Sequence, residues 1–254
     1  MTRVDASIEL WLVDLTTCAA ALEALECDTP RLADEDRERA GAIRDPIQRR
    51  QRMAAYIALR VAIERVAGAG VRRRPLVRSP GGKPRLIEGT AQFSLSHSEG
   101  VALIGVAGAL PIGVDVERAQ PLKMLQHRHE ELCAVGKGLG GQCVPYAEAD
   151  CAIMQAWVRL EAFTKARGRA LAQTLADLGL RGERRRPVPP AQLEAAARHL
   201  AHDTGLSVSD VKLPSGLHGA VAFGAGARLP LPRLLPADRA GLERVLVQPW
   251  PGLA

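Results

Sequence analysis

Between Phe93 and Glu117 the chain alternates, turns solidly apolar, and alternates again. No other stretch limits the possible fold as much. Phe93, Leu95 and His97 alternate with Ser94, Ser96 and Ser98, the period of two expected of a strand. Val101 to Val106 is apolar throughout and reads as a buried strand. Pro111 to Glu117 alternates once more. Three neighbouring strands of this kind predict an antiparallel meander rather than βαβ units. Helical spacing surrounds them. Asp34 to Ala67 is charged first, then apolar through Met53, Tyr56, Ile57, Leu59, Ile63 and Val66, with Pro46 splitting it into two helices. Ala149 to Arg167 reads as a helix ended by Gly168, and Gln192 to His202 as a short one. Ile8 to Val13 opens the chain as a strand. Leu206 to Leu213 and Leu217 to Phe223 read as a closing strand pair. Gly136 to Gly141 is expected to be a mobile loop, Arg184 to Pro190 a linker, and the Pro-rich tail beyond Leu229 loosely attached.

A chain of 254 residues can form one large domain or two small ones, and either buries a sizeable core. Only 3% of the residues are aromatic, so that core is built mainly from Ala, Leu, Val and Ile. The net charge is +6, and of 34 basic residues only five are lysines (Lys83, Lys123, Lys137, Lys165, Lys212). An arginine-rich surplus favours acidic partners: a polyphosphate, nucleic acid or an acidic protein. The five cysteines (Cys18, Cys27, Cys133, Cys143, Cys151) form no C-x-x-C pair and read as free thiols in a reducing compartment. The N-terminus lacks the charged-then-apolar order of a signal peptide. The longest apolar run, Val101 to Val114, is broken by Pro111 and too short for a bilayer. The expected location is the cytoplasm, away from any membrane.

Four groups of residues could carry chemistry. Asp115 and Glu117 lie two apart on a strand and so share a face, with Val114 and Val116 turned into the core. Two converging carboxylates suit a hard divalent cation such as Mg²⁺; a solvated face with Arg118 as partner is the alternative. Trp157, Glu161 and Lys165 are spaced at i, i+4 and i+8 on one helix face. Glu161 and Lys165 could be an ordinary surface pair, or a metal-binding or basic acid beside a phosphate contact. Ser96-His97-Ser98 ends an apolar strand, where His97 is either bonded within the fold or a phosphate contact. Gly81-Gly82-Lys83-Pro84 is either a plain turn or an exposed lysine offered to an anion. Neither a hydrolase triad nor a full P-loop surrounds these residues.

In order, Gly82-Lys83-Pro84, Phe93 to Ser98, Gly113-Val114-Asp115-Val116-Glu117 and Trp157-x-x-x-Glu161-Ala162-Phe163-x-Lys165-x-x-Gly168 resemble the 4′-phosphopantetheinyl transferases. The likeness is to the longer, monomeric, surfactin-synthetase-activating type, and it covers roughly residues 35–225. It implies an α+β fold of two similar halves, a pseudo-dimer, with the active site in the cleft between them. The halves would be residues 1–109 and 110–229, followed by a Pro-rich tail, 230–254. Such enzymes move the phosphopantetheine arm of coenzyme A onto a serine of an acyl, peptidyl or aryl carrier protein, with Mg²⁺, releasing 3′,5′-ADP. The resemblance makes Asp115, Glu117 and Glu161 the metal-binding acids, and Glu161 also the base that deprotonates the serine. Lys165, Lys83, Ser96 and His97 become contacts to the coenzyme A phosphates. An arginine of the first helical region, Arg50 or Arg52, joins them, although Gln51 stands nearest the matching position.

The chain departs from the pattern at Leu160, where such enzymes carry a lysine before the glutamate; Arg159 is adjacent but points about 100° away on a helix. Lys165 is expected to supply the missing charge, and a lysine substituted at 160 to restore part of what Lys165 provides. Glu130 to Val144 also departs, with glycines and cysteines where an acidic-aromatic helix start is usual. A carrier-protein or coenzyme A binding module with little catalysis is the alternative that Leu160 motivates. A nucleic-acid-binding protein is disfavoured: the two Arg-Arg-Arg-Pro runs sit in connectors, with few aromatics to stack bases.

Overall fold

The computed structural model describes residues 7–87, 91–119, 128–140, 149–180 and 187–250. It is an α+β protein whose chain divides into two compact units. The first is made by the residues up to Val77, by Pro84–Leu110 and by the stretch from Arg228 onward; the second by Arg78–Lys83 and Pro111–Ala227.

The first unit opens with β1 (Ile8–Asp14), α1 (Ala19–Asp28), α2 (Asp34–Gly41) and α3 (Pro46–Ala67). Pro46 lies at the start of α3, where its missing N–H costs nothing, and Asp45 caps that helix by accepting from the Gln48 amide at 2.7 Å. The break at Pro46 is therefore a helix start rather than a kink. The two-residue strands β2 (Val77–Arg78) and β3 (Pro84–Arg85) flank the Ser79–Lys83 turn, and β4 (Gln92–Ser98) and β5 (Val101–Ala107) follow.

The second unit contains β6 (Ile112–Arg118), α4 (His129–Gly138), α5 (Ala149–Arg167), α6 (Leu171–Asp177), α7 (Pro190–Asp203), β7 (Leu206–Asp210) and β8 (Leu217–Gly224). The chain then gives the first unit β9 (Arg233–Leu234) and α8 (Arg239–Val247).

The sheet of the first unit has the order β4-β5-β1-β9, and that of the second β6-β8-β7. The expected three-strand meander is corrected here. β4 and β5 do pair antiparallel, but β1 takes the other edge of β5, from Ile8 opposite Ala107 to Asp14 opposite Val101. With both edges of β5 filled, β6 pairs with β8 instead, along seven residues from Ile112–Phe223 to Arg118–Leu217.

Two further expectations are overturned. Gly136 and Gly138 belong to helix α4, not to a mobile loop. A Cβ on Gly136 would lie 2.6 Å from the Ala156 Cα, so this glycine lets α4 press directly on α5. Residues 141–148 and the run Arg184-Arg185-Arg186 lie outside the described residues. The segment after Leu229 is not loose: Leu235, Leu242, Val245 and Trp250 are buried in the same apolar cluster as Trp11, Ile57 and Phe93. Spaced apolar residues behind prolines read as a tail only when their partner surface is unknown.

Among the described residues no helix is long and apolar enough to cross a membrane. Cys18, Cys27, Cys133 and Cys151 are free thiols, and Cys143 lies outside the described residues.

Candidate active site

The candidate site is built on the contact between β6 and α5. Gly113 faces the helix so closely that a Cβ there would lie 2.1 Å from the Ala162 carbonyl oxygen and 2.3 Å from the Ala166 amide. Only glycine lets strand and helix backbones meet at this point. Two residues further along β6, on the same face, stands Asp115. One residue before each of the two alanines on α5 stand Glu161 and Lys165. The small residues thus act as a hinge pin that brings the charged ones together.

Lys165 Nζ donates to Asp115 Oδ1 at 2.6 Å. Asp115 is only 3% exposed, which overturns the alternative of a solvated face for this residue. Asp115 is buried because α5 covers the side of β6 that carries the acids, and Val114 and Val116 are buried on the opposite face. Glu117 is half-buried. The Glu161 carboxyl is pushed above the usual carboxylate range, first by burial and then by the negative charges of Asp115 and Glu117, with Lys165 opposing. A like-charge effect of that kind requires the three acids to lie close enough to interact. Asp115, Glu117, Glu161 and Lys165 therefore form one electrostatic group. The surface-pair reading of Glu161 and Lys165 gives way to a helix lysine that reaches across to a strand aspartate.

Lys83 is not the exposed lysine that the turn suggested. The Ser79 amide donates to the Lys83 carbonyl at 2.9 Å and the Ser79 hydroxyl to the Gly168 carbonyl at 3.2 Å, so the turn is tied to the end of α5. The ammonium of Lys83 donates to the Ile112 carbonyl at 2.7 Å, at the start of β6. Burial lowers its pKa to about 8. Unfolded, the same group keeps its proton up to the ordinary value of 10.5. Between these values the unfolded chain binds more protons than the native one, so stability rises with pH across the window. Wild-type protein is therefore expected to gain on the order of 1–3 kcal/mol between pH 8 and 10.5 from this group, discounted for its partial exposure. Lys83→Met should lose that gain in chemical denaturation run across the window; an unchanged slope would assign it elsewhere.

The other residues expected at the site lie in the first unit. Ser96 is buried and His97 half-buried on β4, opposite Leu103 and Ala102 of β5. Arg52, on α3, places its guanidinium 5.8 Å from the Tyr56 ring centroid, with Nη1 3.5 Å from the tyrosine hydroxyl. Its Nε is buried and has no hydrogen-bond partner among the described residues. Arg50, the alternative, is held by both oxygens of Glu23 at 2.7 and 2.8 Å.

Sequence reasoning missed a second polar cluster in the unit that holds the acids. Arg159 donates through Nε and Nη2 to the two oxygens of Asp210, each at 2.6 Å. Gln155 Nε2 donates to Asp210 Oδ1 at 2.7 Å and to the Gly219 carbonyl at 3.1 Å, and Gln155 Oε1 lies 3.3 Å from His218 Nδ1. Asp210 and His218 are more than fifty residues from Gln155, and no spacing rule links them. No local signal marks it; only the β6–β8 pairing sets His218 opposite Glu117. Leu160 is wholly buried in the apolar cluster of this unit, and Arg159 is committed to Asp210. Neither replaces a cation beside Glu161.

Among the described residues, no three His, Cys, Asp or Glu side chains are arranged to hold a metal ion. The charges of Asp115 and Glu117 act on Glu161, and Asp115 is paired with the Lys165 ammonium. No protein-family model matches the chain, and no curated protein matches it.

Proposed function

We propose that this protein is an Mg²⁺-dependent transferase that moves the 4′-phosphopantetheine arm of coenzyme A to a serine of an acyl, peptidyl or aryl carrier protein. The observation that carries the reading is the electrostatic group of Asp115, Glu117, Glu161 and Lys165 at the β6–α5 contact. Phosphoryl transfer depends more on positioning and charge neutralisation than on covalent help, and this group offers both signs of charge in a half-buried setting. Asp115, Glu117 and Glu161 would hold the cation, which when bound screens the pyrophosphate charge. A carboxyl whose affinity for protons is raised is suited to accept one, so Glu161 takes the proton of the serine hydroxyl. The serine Oγ–phosphorus bond forms as the pyrophosphate bridge breaks. The bridging oxygen keeps the electron pair and leaves with 3′,5′-ADP. Lys165 and Lys83 steady the phosphates, and a lysine held near pH 8 gains its full charge when an anion arrives. The reading extends to Ser96, His97 and Arg52 as further nucleotide contacts, and it carries with it a monomeric pseudo-dimer architecture.

One observation favours the second reading, a coenzyme A or carrier-protein binding module with little turnover: the ammonium of Lys165 already neutralises Asp115. The test is 3′,5′-ADP release from coenzyme A and apo carrier protein, followed chromatographically. Release that requires carrier and stops with chelator supports the transferase. Calorimetric binding of coenzyme A without release supports the module.

A further inference from the structure

Helix α5 carries two ion pairs of different build, less than two turns apart. Arg159 holds Asp210 with two bonds, each 2.6 Å, and reaches the Gly136 carbonyl with another N–H at 3.3 Å. The arginine side chain is 3% exposed, so a planar fork and burial together lock this pair. Lys165 holds Asp115 by a single donor on a flexible four-carbon stem. The lysine side chain is 30% exposed, whereas the aspartate is buried.

The two ends of the second pair therefore differ in freedom. Asp115 has a short side chain on a strand pressed against α5, where a Cβ on Gly113 would lie 2.1 Å from the Ala162 carbonyl oxygen. The ammonium is free to swing toward solvent without disturbing the core. Lys165 also stands one turn after Glu161, and its charge acts on that carboxyl as well as on Asp115. One ammonium thus serves two acids, and Glu117 adds its charge to the same group. A dication brought to Asp115 meets a monocation already bonded to the carboxylate, and the two repel at contact range.

We propose that Lys165 is an internal counter-ion that closes Asp115 to divalent cations, so that a dication binds the acids only as the ammonium leaves. The inference rests on the transferase reading for the role of the acids and adds to it a closed state of the free protein. The same lysine then guards the acids before substrate arrives and meets the phosphates afterward. The test uses Mn²⁺, which carboxylates hold as they hold Mg²⁺, with no coenzyme A present. Titration calorimetry compares wild-type protein with Lys165→Met, which removes the charge, and Lys165→Arg, which keeps it; thermal melting confirms the fold. The expected result is Mn²⁺ affinity tighter on the order of tenfold in Lys165→Met and no tighter in Lys165→Arg. A second measurement needs no variant. Acetylation of wild-type Lys165 by acetic anhydride, read by peptide mass spectrometry, should rise at Mn²⁺ saturation, while Lys137, paired with Glu194, keeps its labelling. Wild-type affinity in a folded Lys165→Met, an equal gain in Lys165→Arg, or Lys165 labelling unmoved at saturation would overturn the closed state and leave the transferase reading standing. Tighter binding by Lys165→Met, with a wild-type protein that transfers nothing to any carrier, would keep the closed state and overturn the transferase. Mn²⁺ binding by neither protein would overturn the closed state together with the proposed cation site.

Discussion

Glu161→Gln is expected to lower transfer by about 10²–10⁴-fold and, without divalent cations, to raise the melting temperature. The two effects share one cause. Burial and the charges of Asp115 and Glu117 lift the Glu161 pKa above its ordinary 4.5. Between the unfolded value and the raised one the native state binds more protons than the unfolded state, so the stability contributed by this group falls as pH rises through that window. Above that window the ionised carboxylate is a standing destabilisation that a neutral amide removes. The same substitution removes the carboxylate proposed to accept the serine proton. Melting in chelator across pH 4.5–7.5 tests the first half, and the rate tests the second. A variant that melts lower than wild type would contradict the electrostatic group itself.

Lys165→Ala is expected to cost more than a peripheral contact. It leaves the Asp115 carboxylate, 3% exposed, without the ammonium that donates to it at 2.6 Å. Removing one partner of a buried pair costs about 3–5 kcal/mol, and the partial exposure of the lysine places this case near the lower end. Loss of a preorganised charge at a phosphoryl-transfer site should also lower the rate by about 10²–10³-fold. The sequence suggested that Leu160→Lys would restore part of that loss. The structure reverses this expectation: Leu160 is wholly buried among Val158, Ala162 and Phe163, so the substitution places an ammonium in the apolar cluster instead of beside Glu161. Leu160→Lys should therefore be destabilising by itself and give no rescue in the double variant. Kinetics and denaturation of the two single variants and the double variant check this. Recovered turnover in Leu160→Lys/Lys165→Ala would show that position 160 does reach the phosphates.

Much of the local structure was readable because it depends on local rules. The limits of α5 follow from helical spacing and from Gly168, and α3 begins at Pro46 because proline is tolerated there. The pairing of β4 with β5 follows from adjacency. What was not readable depends on contacts distant in sequence. β6 looks like a third meander strand until β1 is seen to fill the edge of β5. Gly136 looks like a loop residue until Ala156 is seen against it. For the site, residue types and faces were legible in Asp115, Glu117, Glu161 and Lys165, but burial was not. A D-x-E strand gives no sign that a glycine two residues earlier draws a helix over the acids. Lys83 reads as exposed from its turn, whereas its ammonium lies against the Ile112 carbonyl. The Arg159–Asp210–Gln155–His218 cluster joins a helix to a distant hairpin and had no local signature at all.

The proposed reaction is transfer of a phosphopantetheine arm by the acids and lysine at the β6–α5 contact. Intact-mass spectrometry of an apo carrier protein incubated with coenzyme A, Mg²⁺ and this protein tests it most directly. The expected result is a gain of one phosphopantetheine on the carrier's serine, lost with Glu161→Gln and in chelator. An unmodified carrier, across acyl, peptidyl and aryl types and with the wild-type protein folded and binding coenzyme A, would contradict it.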